Sequence, residues 1–327
     1  MVRYLFSWLA LVAMTHPALA QDRPPDADPL TAEIHLEDVE RFAALFAASE
    51  GAPTAEQLQQ GYIAPGSFGV SVFTPHRIQS AENLAATIAA DPAPYAAALD
   101  RCLPLVREAN ADLRSIYLGL AGALPEARLP QVYMVLGAGN SGGTAAPGAQ
   151  VLGLEVLCAI SPTDEAFRAR LRHFFAHETV HSLQGDYARP GTANPLLHSV
   201  LAEGAADFIA TLVTGDDPSA ERAAWAAPRE AELRRELAAD LALIDRAMSD
   251  EGASDPALKD AANAAFRRWV ANFGSAPEGW PSELGYWMGM RMWEAYYEAA
   301  PDKRAALMAM LTLDDPEAVL AAADFTY

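Results

Sequence analysis

Apolar residues recur at helical spacing along most of this chain and give way to short β-branched runs only near its middle. In EIHLEDVERFAALFAAS, Ile34, Val39, Phe42, Leu45 and Phe46 fall on one stripe, which predicts a helix. Further helices are expected at 80–90 and 93–121, with the turn-rich YIAPGSFGVSVFTPHR ahead of them. QVYMVLG and QVLGLEVLCAI then read as strands, and with AGNSGGTAAPGA between them they predict a long-looped β-hairpin over 131–160. A connection of that length is more often functional than idle, the alternative being a loose surface loop.

Helical periodicity returns at Thr163. Ser161 or Thr163 can cap a helix running past His181, with Asp164 and Glu165 suited to its first turn. After the turn GDYARPGTANP, the residues Leu197, Val200, Leu201, Ala205, Phe208, Ile209 and Leu212 line one face between Leu196 and Val213, as in a buried amphipathic helix. Residues 218–249 read as one long charged helix with a solvated face. SELGYWMGMRMWEAYYEAA predicts a last helix capped by Ser282 and stopped by Pro301. Gly285 and Gly289, spaced by one turn, suit close packing on a neighbour.

The pattern carries no internal repeat and no clean boundary, so one α+β, predominantly helical domain is expected over 21–327. Its parts are a helical segment 30–125, the hairpin 131–160, two helices in 163–214 and a helical remainder 218–327. Residues 1–20 differ: Arg3, an apolar run from Tyr4 to Met14, and Ala18-Leu19-Ala20 before a polar stretch have the form of a secretory signal peptide cleaved after Ala20. That places the mature chain in the periplasm or outside the cell, with no membrane span expected in it. A net charge of −20 disfavours nucleic acid and anionic lipid as partners. Export permits a disulfide between Cys102 and Cys158, although their apolar surroundings suit two buried thiols equally well.

The candidate chemistry is concentrated in RHFFAHETVHSLQGDY, which holds three of the chain's seven histidines. His177 and His181, four apart on a helix, face the same way and can offer ring nitrogens to one zinc ion. Glu178 projects differently and suits a carboxylate that deprotonates a water activated by the metal. The next helix supplies LAEGAADF, where Glu203 and Asp207 are again four apart. They are either site residues or solvated acids off the apolar stripe. Gly204 between them signals close backbone approach, expected toward the histidine helix.

HETVH followed by EGAAD resembles the gluzincin clan of thermolysin-like zinc metallopeptidases. The resemblance implies a zincin-like fold, with the two helices packed together beside a small antiparallel sheet. It also implies His177, His181 and Glu203 as zinc ligands, Glu178 as general base, and Asp207 as the acid that orients a ligand histidine. YIAPGSFGVSVFTPHRI, GAGNSGGTA, HETVHSLQ, LAEGAADFIA and GYWMGMRMWEAYY are similar to a bacterial group of zinc proteases related to gliding-motility lipoproteins, although this chain has no cysteine at the processing site. The implied function is hydrolysis of a peptide or protein substrate, the alternative being a non-catalytic metal- or peptide-binding protein. Donors for the oxyanion would come from Tyr286, His198 or Arg291, whose other readings are core packing, a polar helix start and a salt bridge. His173, one turn before His177, would support the ligands from behind or be exposed. The strand Val151–Val156 is either an edge to which an extended substrate adds or an ordinary core strand.

Overall fold

A computed structural model of the chain describes residues 23–217, 219–250 and 252–327; the expected signal peptide lies outside them. Among the described residues helices dominate, with one four-stranded sheet of order β1-β2-β4-β3 set among them. The strands are β1 (Ile34–His35), β2 (Gln131–Val135), β3 (Gly143–Ala146) and β4 (Ala149–Gly153).

The long-looped antiparallel hairpin is not what forms. β2 and β4 pair in parallel, with Val132 opposite Gln150 and Met134 opposite Leu152, and β1 adds to β2 in parallel. The expected loop contains β3, which pairs antiparallel with β4, Thr144 opposite Val151. The sheet is therefore mixed. Gly-Thr-Ala-Ala has only one β-branched residue, so its side chains carry little strand signal. The turn signal was present: Pro147-Gly148, with Gly148 at φ 74°, joins β3 to β4 as Pro-Gly pairs do in tight turns. β4 is flanked on both sides and fully buried, while Leu154–Ala159 continues as a short helix. Of the two readings of Val151–Val156, its strand part is thus the ordinary core strand, and the edge beside it is β3.

Two of the expected helices are subdivided, the first also interrupted by a turn at Glu108–Ala109. The stretch 93–121 divides into Ala93–Ala97, a π-helical turn Ala98–Cys102, Leu103–Arg107 and Asn110–Ala123. Pro104 has no N–H to give and crowds the preceding turn, which the wider turn accommodates. The charged stretch 218–249 divides at Pro228 into Ala220–Ala226, a 3-10 turn and Glu230–Met248. Cys102 and Cys158 are joined by a disulfide, which ties the π-helical turn to the short helix after β4.

Three helices build the centre. The histidine helix, Asp164–Tyr187, is capped by Thr163, whose hydroxyl accepts the Ala166 N–H at 3.1 Å; Ser161 does not cap it. The acid helix, Pro195–Thr214, is capped by Asn194 and ended by Gly215 in the left-handed conformation. It is long and apolar enough to cross a membrane by length and composition. Here it packs between the histidine helix and the aromatic helix, Leu284–Ala299, and of its apolar stripe only Leu212 is largely exposed. The aromatic helix starts two residues after Ser282. Glu283 precedes it at φ 62°, held by the Asn272 side chain, which accepts its N–H at 2.7 Å.

Gly204 faces the aromatic helix, not the histidine helix as expected from sequence. A Cβ there would lie 2.2 Å from the carbonyl carbon of Gly289, and one on Gly289 would lie 1.8 Å from the Val200 oxygen. Glycine at both positions lets the two backbones touch. The histidine helix is fastened to the sheet by Gln150 of β4, whose amide donates to the Thr179 hydroxyl at 2.7 Å and the Phe175 carbonyl at 3.1 Å. Ser182 donates to the Ala146 carbonyl at 3.0 Å, so the end of β3 is tied to the same helix.

Candidate metal centre

His177 and His181 project from successive turns of the histidine helix toward Glu203 of the acid helix. The two Nε2 atoms are 3.1 Å apart, and Glu203 Oε2 lies 3.3 Å from His177 Nε2 and 3.0 Å from His181 Nε2. A tetrahedral ion with donors at about 2.0 to 2.1 Å holds them roughly 3.3 Å apart, so this triangle has the dimensions of three ligand positions. His177, His181 and Glu203 can hold a metal ion.

The proton positions implied by the neighbours sharpen this. His177 Nδ1 lies 2.9 Å from Asp207 Oδ1, a carboxylate that can only accept, so Nδ1 carries the proton and Nε2 a lone pair. His181 Nδ1 lies 2.8 Å from Gln184 Oε1. That amide is oriented by its other end, which donates to the carbonyls of Ala202 at 3.0 Å and Met310 at 3.2 Å. His181 therefore also presents a lone pair at Nε2. Two imidazole lone pairs and a carboxylate oxygen then meet with no donor among them, an arrangement that a cation relieves. Without one, protons take its place. Burial alone would lower both imidazoles, but Asp207 and Glu203 raise His177, and Glu203 raises His181, above the ordinary value. Glu203, which burial would raise, is instead lowered by the two histidines.

Asp207 is buried and doubly engaged: its Oδ2 accepts from Arg222 Nη2 at 2.9 Å. Burial would raise this carboxyl, but His177 and Arg222 bring it below the usual carboxylate range. Arg222 also donates to the Glu283 carbonyl at 3.2 Å, which uses the left-handed turn ahead of the aromatic helix. His173 lies behind the ligands, its Nε2 3.5 Å from Asp207 Oδ1, and burial lowers its imidazole to about 4.

Glu178 is buried beside the triangle and packs against the first residue of β3: a Cβ on Gly143 would lie 2.9 Å from its Oε1. Burial raises its carboxyl, with His181, His177 and Arg77 opposing the shift. Tyr286 comes to the site as well. Its ring stacks on His177 at 6.0 Å and 8°, and its hydroxyl is raised by burial and by the Glu203 charge. Arg291 does not come to the site, being paired on the surface with Glu230 and Glu294. His198 is half-buried earlier on the acid helix, its imidazole lowered by burial, within the field of Glu203.

Gln184, Arg222, Glu283 and Arg77 adjoin the site without belonging to its HETVH and EGAAD motifs. Gln184 was accessible from the sequence, since three residues after His181 it shares a helix face with it. Arg222 was not, because nothing local distinguishes it from other arginines in a charged stretch. Comparisons with family models, with curated proteins and with solved structures find no match.

Proposed function

We propose that this chain is an exported zinc metallopeptidase of the gluzincin type, with His177, His181 and Glu203 as the zinc ligands and Glu178 as the general base. The observation that carries the reading is the convergence of three hydrogen-bond acceptors, both imidazole tautomers set by Asp207 and Gln184, next to a buried carboxylate. Zinc in such a site supplies Lewis acidity, acidifying water and polarising a carbonyl. Glu178 takes the proton from the attacking water and returns it to the departing amide nitrogen; its raised carboxyl suits both transfers. The Tyr286 hydroxyl, beside His177, donates to the developing oxyanion. The substrate backbone adds to the outer edge of β3, which brings a peptide past Glu178. Export is supported by the leader-like first twenty residues and by the disulfide.

The test is metal analysis of the purified protein together with a peptide-library digest by the wild type and Glu178→Gln. The expected result is about one zinc per chain in both proteins, and cleavage by the wild type alone, with a loss on the order of 100-fold or more in the variant. A wild type that binds zinc but cleaves nothing supports the binding-protein alternative, and one that takes up no zinc ends the whole reading.

A further inference from the structure

The connection from β2 to β3 arches over the C-terminal end of β4. Val135 pairs with Gly153 where β2 ends, Gly143 pairs with Leu152 where β3 begins, and the Gly153 N–H donates to the Gly142 carbonyl at 3.0 Å beneath the arch. Glu155 is the second residue of the helix that follows β4, so it stands under the same arch. It is 1% exposed, and its Oε1 accepts the N–H groups of Gly137 at 3.0 Å and Gly139 at 3.2 Å, while Oε2 has no partner.

Two tyrosines hold the adjoining groups. The Tyr62 hydroxyl accepts the Leu136 N–H at 2.8 Å and donates to the Leu136 carbonyl at 2.7 Å, and Tyr95 donates to the Gly137 carbonyl at 2.8 Å. A Cβ on Gly137 would lie 2.6 Å from the Phe73 ring, so the arch is pressed against the helical layer at this point. Side chains from three separate segments thus satisfy both polar groups of Leu136, both of Gly137 and the N–H of Gly139. A buried carboxyl is a costly acceptor, and what it adds over an amide is a stronger, charge-assisted bond.

We propose that Glu155 is a positioning residue for the substrate edge of the site: it grips Gly137 and Gly139 so that the arch delivers Gly143 of β3 against Glu178. The meaning of that edge rests on the peptidase reading; the grip itself does not. Burial raises the Glu155 carboxyl to about 7, and the Gly137 and Gly139 N–H bonds oppose the rise. By linkage, ionisation strengthens those same bonds. The titratable groups facing it are the phenols of Tyr62 and Tyr95, both pushed up by burial and therefore neutral. The grip tightens as pH rises through about 7.

Hydrogen exchange of the full chain decides this, comparing wild type, Glu155→Gln and Glu155→Leu. In Glu155→Leu, exchange across 136–143 is expected to rise about tenfold or more, with the histidine and acid helices and zinc affinity unchanged. Glu155→Gln, which keeps an acceptor, restores slow exchange at pH 6. Between pH 6 and 8, protection corrected for intrinsic rates increases in the wild type and stays flat in Glu155→Gln. Unchanged exchange in the leucine variant, a rise shared by every segment, or the same pH trend in wild type and Gln variant overturns the proposal. Should Glu155→Leu not fold, the pH comparison decides alone. If the protein cleaves peptides, Glu155→Leu raises KM more than it lowers kcat. If it cleaves none, the peptidase reading fails while the exchange result still stands.

Discussion

Gly204→Ala adds one methyl group at the place where the acid and aromatic helices touch, and its effect can be worked out from their geometry. In an open helix the exchange would stabilise by about 1 kcal/mol. Here the new Cβ would sit 2.2 Å from the Gly289 carbonyl carbon and 2.4 Å from the Gly289 Cα and the Met290 nitrogen, all backbone atoms that cannot rotate away. Reaching ordinary contact near 3.5 Å requires the helices to part by roughly 1 to 1.5 Å. Overpacking of this kind costs about 1 to 3 kcal/mol. The Trp293 indole bond to the Leu201 carbonyl, 2.7 Å long, is stretched by the same movement. A net loss of about 2 kcal/mol follows, read from urea unfolding of the metal-free protein. Glu203 is the adjacent residue and moves with its helix, whereas the two imidazoles do not. Displacing Oε2 by even part of that distance distorts the 3.0 and 3.3 Å sides of the triangle, so zinc affinity measured by chelator competition should fall about tenfold or more. A Gly204→Ala protein as stable as the wild type and with the same zinc affinity would refute the claim that this contact sets the ligand geometry.

Three further outcomes are expected. Arg222→Met leaves the Asp207 carboxylate buried with one oxygen unpaired; stability should fall by roughly 3 kcal/mol in thermal melts and zinc affinity by about 10- to 100-fold in chelator competition. Reduction of the Cys102–Cys158 bridge, or its removal by Cys102→Ser with Cys158→Ser, should cost about 2 to 4 kcal/mol, visible as a lowered melting temperature, with zinc stoichiometry unchanged. In the metal-free protein the His177 and His181 imidazoles are raised above their unfolded value near 6.5, so their stabilisation is complete below that pH and is lost as pH rises through the raised values. Zinc must displace those protons, and its affinity should climb with pH over the same window, by up to about tenfold per unit for each proton released; an affinity independent of pH would show that no imidazole proton is exchanged.

The sequence by itself determined the local terms of this structure. Spacing by four put His177 beside His181 and Glu203 on the face of Asp207, because a helix turn repeats every few residues whatever surrounds it. A cap at Ser161 or Thr163 was legible for the histidine helix in the same way, and Thr163 proved to be the one used. What tertiary structure decided was every pairing between segments. β4 takes β2 and β3 as neighbours through backbone groups that all residues share, so no side-chain pattern announced a parallel sheet or a strand as plain as Gly-Thr-Ala-Ala. Gly204 declared a close approach, expected toward the histidine helix, whose partner proved to be Gly289 of the aromatic helix. Arg222 reaches Asp207 and Glu155 reaches the arch only once distant helices are packed, since periodicity records which face of an element is buried and contains nothing about what will be laid upon it.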